Sequence, residues 1–223
     1  TSKKKVVFVA GRPSHGPGQH EHRAGSMLLA RALEEGMPGF DATVTTNGWP
    51  ENPAEVFADA DAVVMYCDGG DGHMVIPHLA DFDKLARSGV GVACIHYAVE
   101  VPKEQAGRQL LDWTGGYYET FWSVNPTWLA KFDKLPNHPI TRGVRPFEIL
   151  DEWYYHVRFR ENLEGVTTIL SAIPPDETRR GPDGPYSGNP AVRARLGKAE
   201  HLAWARQRPD GGRGFGFTGG HFH

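Results

Sequence analysis

The sequence predicts a doubly wound α/β fold with a mostly parallel sheet, and three features carry that expectation. The N-terminal half alternates short β-branched runs with helical patterns in the order β-α-β-α-β-α-β. Parallel strands of this kind are covered on both faces by their crossover helices, so they read as continuous apolar runs. The residues after each run turn abruptly polar, as expected where the carboxyl ends of strands build a site. Beyond Trp113-Thr-Gly-Gly116 the pattern becomes aromatic and proline-broken, which predicts a strand-rich C-terminal half.

Taken in order, Val6 to Ala10 reads as the first strand. Ala24 to Glu35 reads as a helix, with Met27, Leu28 and Leu33 on one face and a stop near Gly36. Asp41 to Thr46 is the second strand, Pro53 to Ala58 a short helix, and Ala60 to Cys67 the third strand. Pro77 to Arg87 is a helix and Gly89 to Ile95 the fourth strand. The later segments Tyr117 to Trp122, Trp128 to Phe132, Phe147 to Phe159, Val166 to Ile173, His201 to Arg206 and Gly214 to Thr218 read as strands. Pro174 to Pro190 and Arg208 to Arg213 read as loops.

Composition excludes several classes of function. At 223 residues, a single domain buries roughly 70% of the surface of its unfolded chain, so no staple is needed to fold. Any metal is therefore expected to be functional. A net charge of −3 gives no basic footprint for nucleic acid. The longest apolar runs are too short to span a bilayer, so no membrane partner is expected. Cys67 and Cys94 each lie in an apolar strand-like segment and read as buried thiols. Lys3 to Lys5 before Val6 resembles a signal sequence only until Gly11-Arg-Pro13 interrupts it. The first residue, Thr1, and the helix-less end at His223 suit a single domain, 1–223, excised from a longer chain. A soluble protein is expected, its compartment open between cytoplasm and periplasm, with self-association into a homo-oligomer also left open.

The polar segments after the strands hold the candidate chemistry. The loop from Gly11 to His22 carries His15, His20 and His22, but neither G-x-G-x-x-G nor a lysine-serine end, so no nucleotide cofactor is expected. The fourth strand ends on His96 and Tyr97 at the sharp turn where a nucleophile elbow would place serine or cysteine. An imidazole there can ligate a metal or act as a base. Cys94, two residues earlier, should project into the sheet layer. Asp151-Glu-Trp-Tyr154 sets two carboxylates side by side, and in a strand only one can face a given pocket. His221 and His223 close the chain. Histidines from separate loops with one carboxylate suit an open metal site. Trp113, Tyr117 and Trp153, with Trp49, Tyr97 and Trp122, could stack on sugar rings.

Five segments in chain order, Ser14-His-Gly-Pro-Gly-Gln-His-Glu-His22, Ala93-Cys-Ile-His-Tyr97, Asn137-His-Pro-Ile-Thr-Arg-Gly143, Asp151-Glu-Trp-Tyr154 and Gly212 to His221, resemble the trehalose-utilisation, ThuA-like family. The resemblance implies a flavodoxin-like fold of the class I glutamine amidotransferase type, with histidine in place of the amidotransferase cysteine. It implies a metal or catalytic centre of His20, His96, Glu152 and His221. His15, His22, Tyr97, Tyr154 and His223 then become neighbouring or substrate contacts; Trp113, Tyr117 and Trp153 stay sugar-contact candidates on the residue reading alone. Such ligands suit a divalent metal, zinc by default, with manganese, cobalt, nickel or iron also compatible.

The expected activity is cleavage or isomerisation of keto-glycosides, trehalose-type or related disaccharides, by proton abstraction beside a sugar carbonyl. His96, Glu152, Tyr97 and Tyr154 are the catalytic candidates. Unoxidised glycosides would need a second carboxylate at the site, and the sequence offers none that clearly faces it. Two alternatives stand beside this reading: a non-catalytic carbohydrate-binding domain of a larger protein, and a hydrolase or amidotransferase-like enzyme using Cys94 or Ser14.

Overall fold

A computed structural model describes residues 2–222. Seven strands form the central sheet in the order β2-β1-β3-β4-β11-β10-β9. The first crossovers run β1 (Lys4–Ala10), α1 (His22–Gly36), β2 (Phe40–Thr45), α2 (Pro53–Val56), β3 (Ala62–Tyr66), α3 (Leu79–Arg87) and β4 (Gly91–Ile95). A helix that the apolar periodicity does not announce, α4 (Arg108–Trp113), follows a π-helical turn over Lys103–Gly107. Then come β5 (Gly116–Tyr117), β6 (Thr127–Phe132), β7 (Phe147–Glu152), β8 (Arg158–Phe159), β9 (Val166–Ala172), α5 (Pro190–Arg193), β10 (Glu200–Gln207) and β11 (Arg213–Phe217).

β1, β2, β3, β4 and β11 are mutually parallel, and β10 is antiparallel to both β11 and β9. The doubly wound α/β expectation holds. On one face Val7, Val9, Met65, Val92 and Cys94 pack with Phe82 of α3 and with Leu110 and Trp113 of α4. On the other, Val6 and Phe8 meet Ala30 of α1. Further along, Phe215 and Phe217 meet Trp128 and Phe132 of the β6–β7 hairpin. A hairpin thus covers the sheet where a simpler doubly wound fold would use a helix.

Three expectations need correction. In α1, Met27 and Leu28 are exposed, and the buried stripe is His22, Gly25, Ser26 and Ala30. Small side chains let this helix lie close on the sheet, and the larger ones are turned outward. Of Tyr117 to Trp122 only Tyr117 lies in a strand, the end of β5, before a turn through Phe121 at φ +62°. Phe147 to Phe159 is split, because His156 takes φ +56° between β7 and β8. Among the described residues, no helix is long and apolar enough to cross a membrane.

Candidate functional site

The site forms where β1, β3, β4 and β11 end. β4 passes directly into His96, fully buried and held at φ +53°, a backbone region that favours glycine and asparagine. Such strain persists only where its surroundings enforce it. Here His96 Nδ1 donates to the Thr218 carbonyl oxygen at 2.8 Å. A carbonyl can only accept, so Nδ1 carries the proton and Nε2 turns its lone pair into the site.

His20 enters from the loop after β1, also with positive φ, +47°. Its backbone N–H donates to the His221 carbonyl at 3.0 Å, tying the first loop to the last. The Asp151 carboxylate fixes that last loop, accepting from the N–H groups of Gly220 (2.6 Å), His221 (3.1 Å) and Phe222 (3.4 Å). Glu152, next in β7, faces the other way into the pocket. There its Oε1 accepts from Asn125 Nδ2 at 3.2 Å.

Four side-chain atoms converge from these four segments. His20 Nε2 lies 2.8 Å from His221 Nδ1 and 3.2 Å from His96 Nε2. Glu152 Oε2 lies 3.0 Å from His221 Nδ1 and 3.4 Å from His96 Nε2. Ligands about 2.0–2.1 Å from a tetrahedral cation stand about 3.3 Å apart, so these spacings match the edges of such a shell. Burial lowers the pKa of His20 and His221, favouring the neutral, ligating imidazole. The donor set fits a borderline divalent cation.

Above this cluster opens a cavity of about 220 Å³, bounded by His15, Tyr97, Tyr154 and Tyr186 together with His20, Glu152 and His221. Tyr154 Oη is 3.2 Å from His96 Nε2. A larger cavity of about 420 Å³ lies on the apolar sheet face near the 138–140 turn, with no comparable cluster of donors among the described residues.

The pocket also contains residues that the sequence did not single out. Glu100 is 2% exposed and accepts from Tyr186 Oη at 3.3 Å. Burial pushes its carboxyl up to about 7, with the nearby Glu152 carboxylate adding to the rise. Glu100 thus overturns the expectation that no second carboxylate faces the site. Asn125 and Tyr186 lie in loops whose pattern says nothing of where they fold, whereas Asp68 follows the third strand, where the turn to polar residues does carry a signal.

Three aromatic candidates fall outside the pocket. Trp113 is buried against Phe82 and donates to Asp83 at 2.9 Å. Tyr117 is core, its hydroxyl donating to Glu119 at 2.8 Å. Trp153 packs between Phe132 and Phe217. All three are at most 2% exposed, so none can stack on a sugar. His22 is equally buried and lies behind the pocket, beside Asp68 and Tyr66. His223 lies outside the described residues. Cys94 is buried in the sheet with its thiol pushed up to about 12 by desolvation, so it supplies no thiolate near neutral pH.

A family model, ThuA, trehalose utilisation, matches residues 5–223. No curated protein matches the sequence. A ThuA-like protein of Bacteroides uniformis superposes with a TM-score of 0.65 at 17% identity, over 99% of this chain and 82% of its own. A ThuA-like protein of Parabacteroides merdae gives 0.62 at 14% identity, over 99% and 80%. At these identities the two structures show likeness of fold alone.

Proposed function

The chain belongs to the ThuA family of trehalose utilisation, a carbohydrate-related role, and from that premise we propose that it is a metal-dependent enzyme acting on keto-glycosides of the trehalose type. The observation that supports this most is the convergence of His20, His96, Glu152 and His221 from four separate segments. When bound there, a divalent metal supplies Lewis acidity toward a sugar oxygen.

The chain's own groups supply the rest. Glu100, whose carboxyl titrates near neutrality, is suited to remove the proton alpha to a sugar ketone. The electron pair left behind forms an enediolate, which expels the glycosidic oxygen beta to the ketone. That oxygen takes a proton from an acid at the pocket wall. Burial raises the Tyr97 and Tyr154 hydroxyls, keeping them protonated and able to donate. Returning the proton to carbon instead gives isomerisation.

Direct hydrolysis of an unoxidised glycoside is a second reading, favoured by Glu100 and Glu152 facing one pocket. The deciding experiment combines elemental analysis of the purified protein with assays on a keto-disaccharide and its unoxidised parent. Bound metal, with cleavage of the keto-disaccharide alone, supports the first reading. Cleavage of the parent sugar supports the second. Sugar binding without turnover, unaffected by chelation, leaves a carbohydrate-binding domain.

A further inference from the structure

A second group of donors lies behind the first. Asp68 follows β3, and its Oδ1 is 3.6 Å from His15 Nδ1, 3.7 Å from His20 Nδ1 and 3.8 Å from His22 Nε2. These spacings too approach the edges of a metal shell, about 3.3 Å for ligands at about 2.0–2.1 Å. His20 belongs to both groups, one ring nitrogen turned to each.

The hydrogen bonding of this group lacks a positive centre. His22 Nδ1 lies 3.1 Å from the Arg12 carbonyl oxygen, which can only accept, so Nδ1 carries the ring proton. His22 Nε2 therefore presents a lone pair, and it faces the Asp68 carboxylate, another acceptor. That nitrogen has no hydrogen-bond partner although the side chain is only 1% exposed. His20 Nδ1 is likewise buried without a partner. A buried acceptor such as His22 Nε2 turned toward a carboxylate costs free energy unless a proton or cation lies between them.

His20 sharpens the case. Its Nε2 faces the lone pair of His96 Nε2 and its Nδ1 faces Asp68. A neutral imidazole has one proton; with a cation on Nε2 that proton sits on Nδ1, where Asp68 at 3.7 Å is too distant for a good hydrogen bond. Asp68 Oδ1 has one clear donor, the Ser14 hydroxyl at 2.8 Å, whose oxygen in turn accepts from His15 Nδ1 at 2.7 Å. His15 is exposed at the pocket mouth, so it is free to exchange that proton for a cation.

We propose that the chain holds a second divalent cation between Asp68, His20 and His15, whose donor atoms all lie within 4.8 Å of one another, with His22 Nε2 as a further donor across Asp68, so that the His20 ring bridges two metals. Binding displaces the remaining His20 ring proton to solvent and leaves a bridging imidazolate. The inference rests on the metal-centre reading only in placing a cation on His20 Nε2. The donors around Asp68 are otherwise separate.

The test is metal content of the full chain after chelation and reconstitution with zinc alone, for the parent and for Asp68→Asn, His22→Gln and Glu152→Gln. Two zinc ions per chain in the parent, falling to one in each variant, is the expected result. One zinc in the parent, kept in Asp68→Asn and His22→Gln but lost in Glu152→Gln, overturns the second site and leaves the first. One zinc lost only in the Asp68 and His22 variants upholds this site and removes the other. No zinc in a folded parent overturns both. Should Asp68→Asn fail to fold, His22→Gln and the parent's own count still decide.

Discussion

Asp151 and Glu152 are neighbours on one strand, and they serve the same site from opposite faces. Asp151 accepts the backbone N–H groups of Gly220, His221 and Phe222, and Glu152 stands 3.0 Å from the His221 ring those bonds position. Period-two alternation of the strand is what divides the labour.

Asp151→Asn is therefore expected to damage the centre without removing a ligand. The amide cannot accept through its nitrogen, so at least one charge-assisted bond is lost, at about 1.5–3 kcal/mol each. The melting temperature should fall by several degrees, and zinc affinity by about 10–100-fold, the usual effect of disturbing a group that orients a ligand. Calorimetry and zinc titration read the two. Unchanged zinc affinity would mean that the last loop keeps its place without the carboxylate.

His96→Asn separates fold from function at the elbow. Asparagine tolerates the φ of +53° found there, so the chain should fold, but its side chain is too short to replace Nε2. Metal affinity and turnover are expected to fall by at least about 100-fold, with the circular dichroism spectrum retained. Near-normal metal content in this variant would remove His96 from the ligand set.

The sheet was legible from the sequence because buried parallel strands are written as continuous apolar runs, and the turn onto His96 because polarity there changes within one residue. The four ligand candidates were named through family resemblance, since spacings such as His20 to His221 have no local signature. What escaped were contacts made by tertiary packing alone. Glu100 lies in a segment of mixed character, and only the approach of Tyr186 from a distant loop reveals that it faces the pocket. Trp113, Tyr117 and Trp153 failed as sugar contacts for the converse reason: large aromatics most readily fill the core of a sheet, and nothing local marks an exception.

Glu100 makes stability and activity respond to pH in opposite directions. Its folded pKa is raised to about 7 from an ordinary value of 4.5. The proton is held more tightly in the folded state, so this contribution is complete below about pH 4.5 and is lost as pH rises through about 7. The loss is on the order of 3 kcal/mol, at 1.36 kcal/mol per pH unit. Glu100→Gln should therefore melt higher than the parent at pH 8 and about equally at pH 4.5, while losing about 10²–10⁴-fold in turnover if Glu100 moves the proton. A variant that melts higher yet turns over normally would assign the carboxyl to the pocket wall only.

Cys94→Ala tests the absence of thiol chemistry. Cys94 has no exposed surface, and burial holds its thiol far above neutrality. Removing one sulfur from the packed sheet should cost about 1–2 kcal/mol and leave turnover per folded molecule within about twofold. A thiol reagent should label the native protein slowly and the unfolded protein fast. Loss of turnover in a variant that still folds would revive a cysteine nucleophile.

Gly219→Ala probes how tightly the last loop is seated. A Cβ there would lie 2.6 Å from the Trp153 ring and 3.1 Å from Asp151 Oδ2. Neither can retreat easily, since Trp153 is fixed between Phe132 and Phe217 and donates to the Ile149 carbonyl at 3.3 Å. The loop must move instead, carrying His221 with it. Overpacking of this kind costs about 1–3 kcal/mol, and zinc affinity should fall alongside the melting temperature. Trp153→Leu should then rescue Gly219→Ala in part, because the smaller side chain vacates the space the new methyl needs. If the double variant binds zinc no better than Gly219→Ala alone, the clash with Trp153 is not what displaces His221.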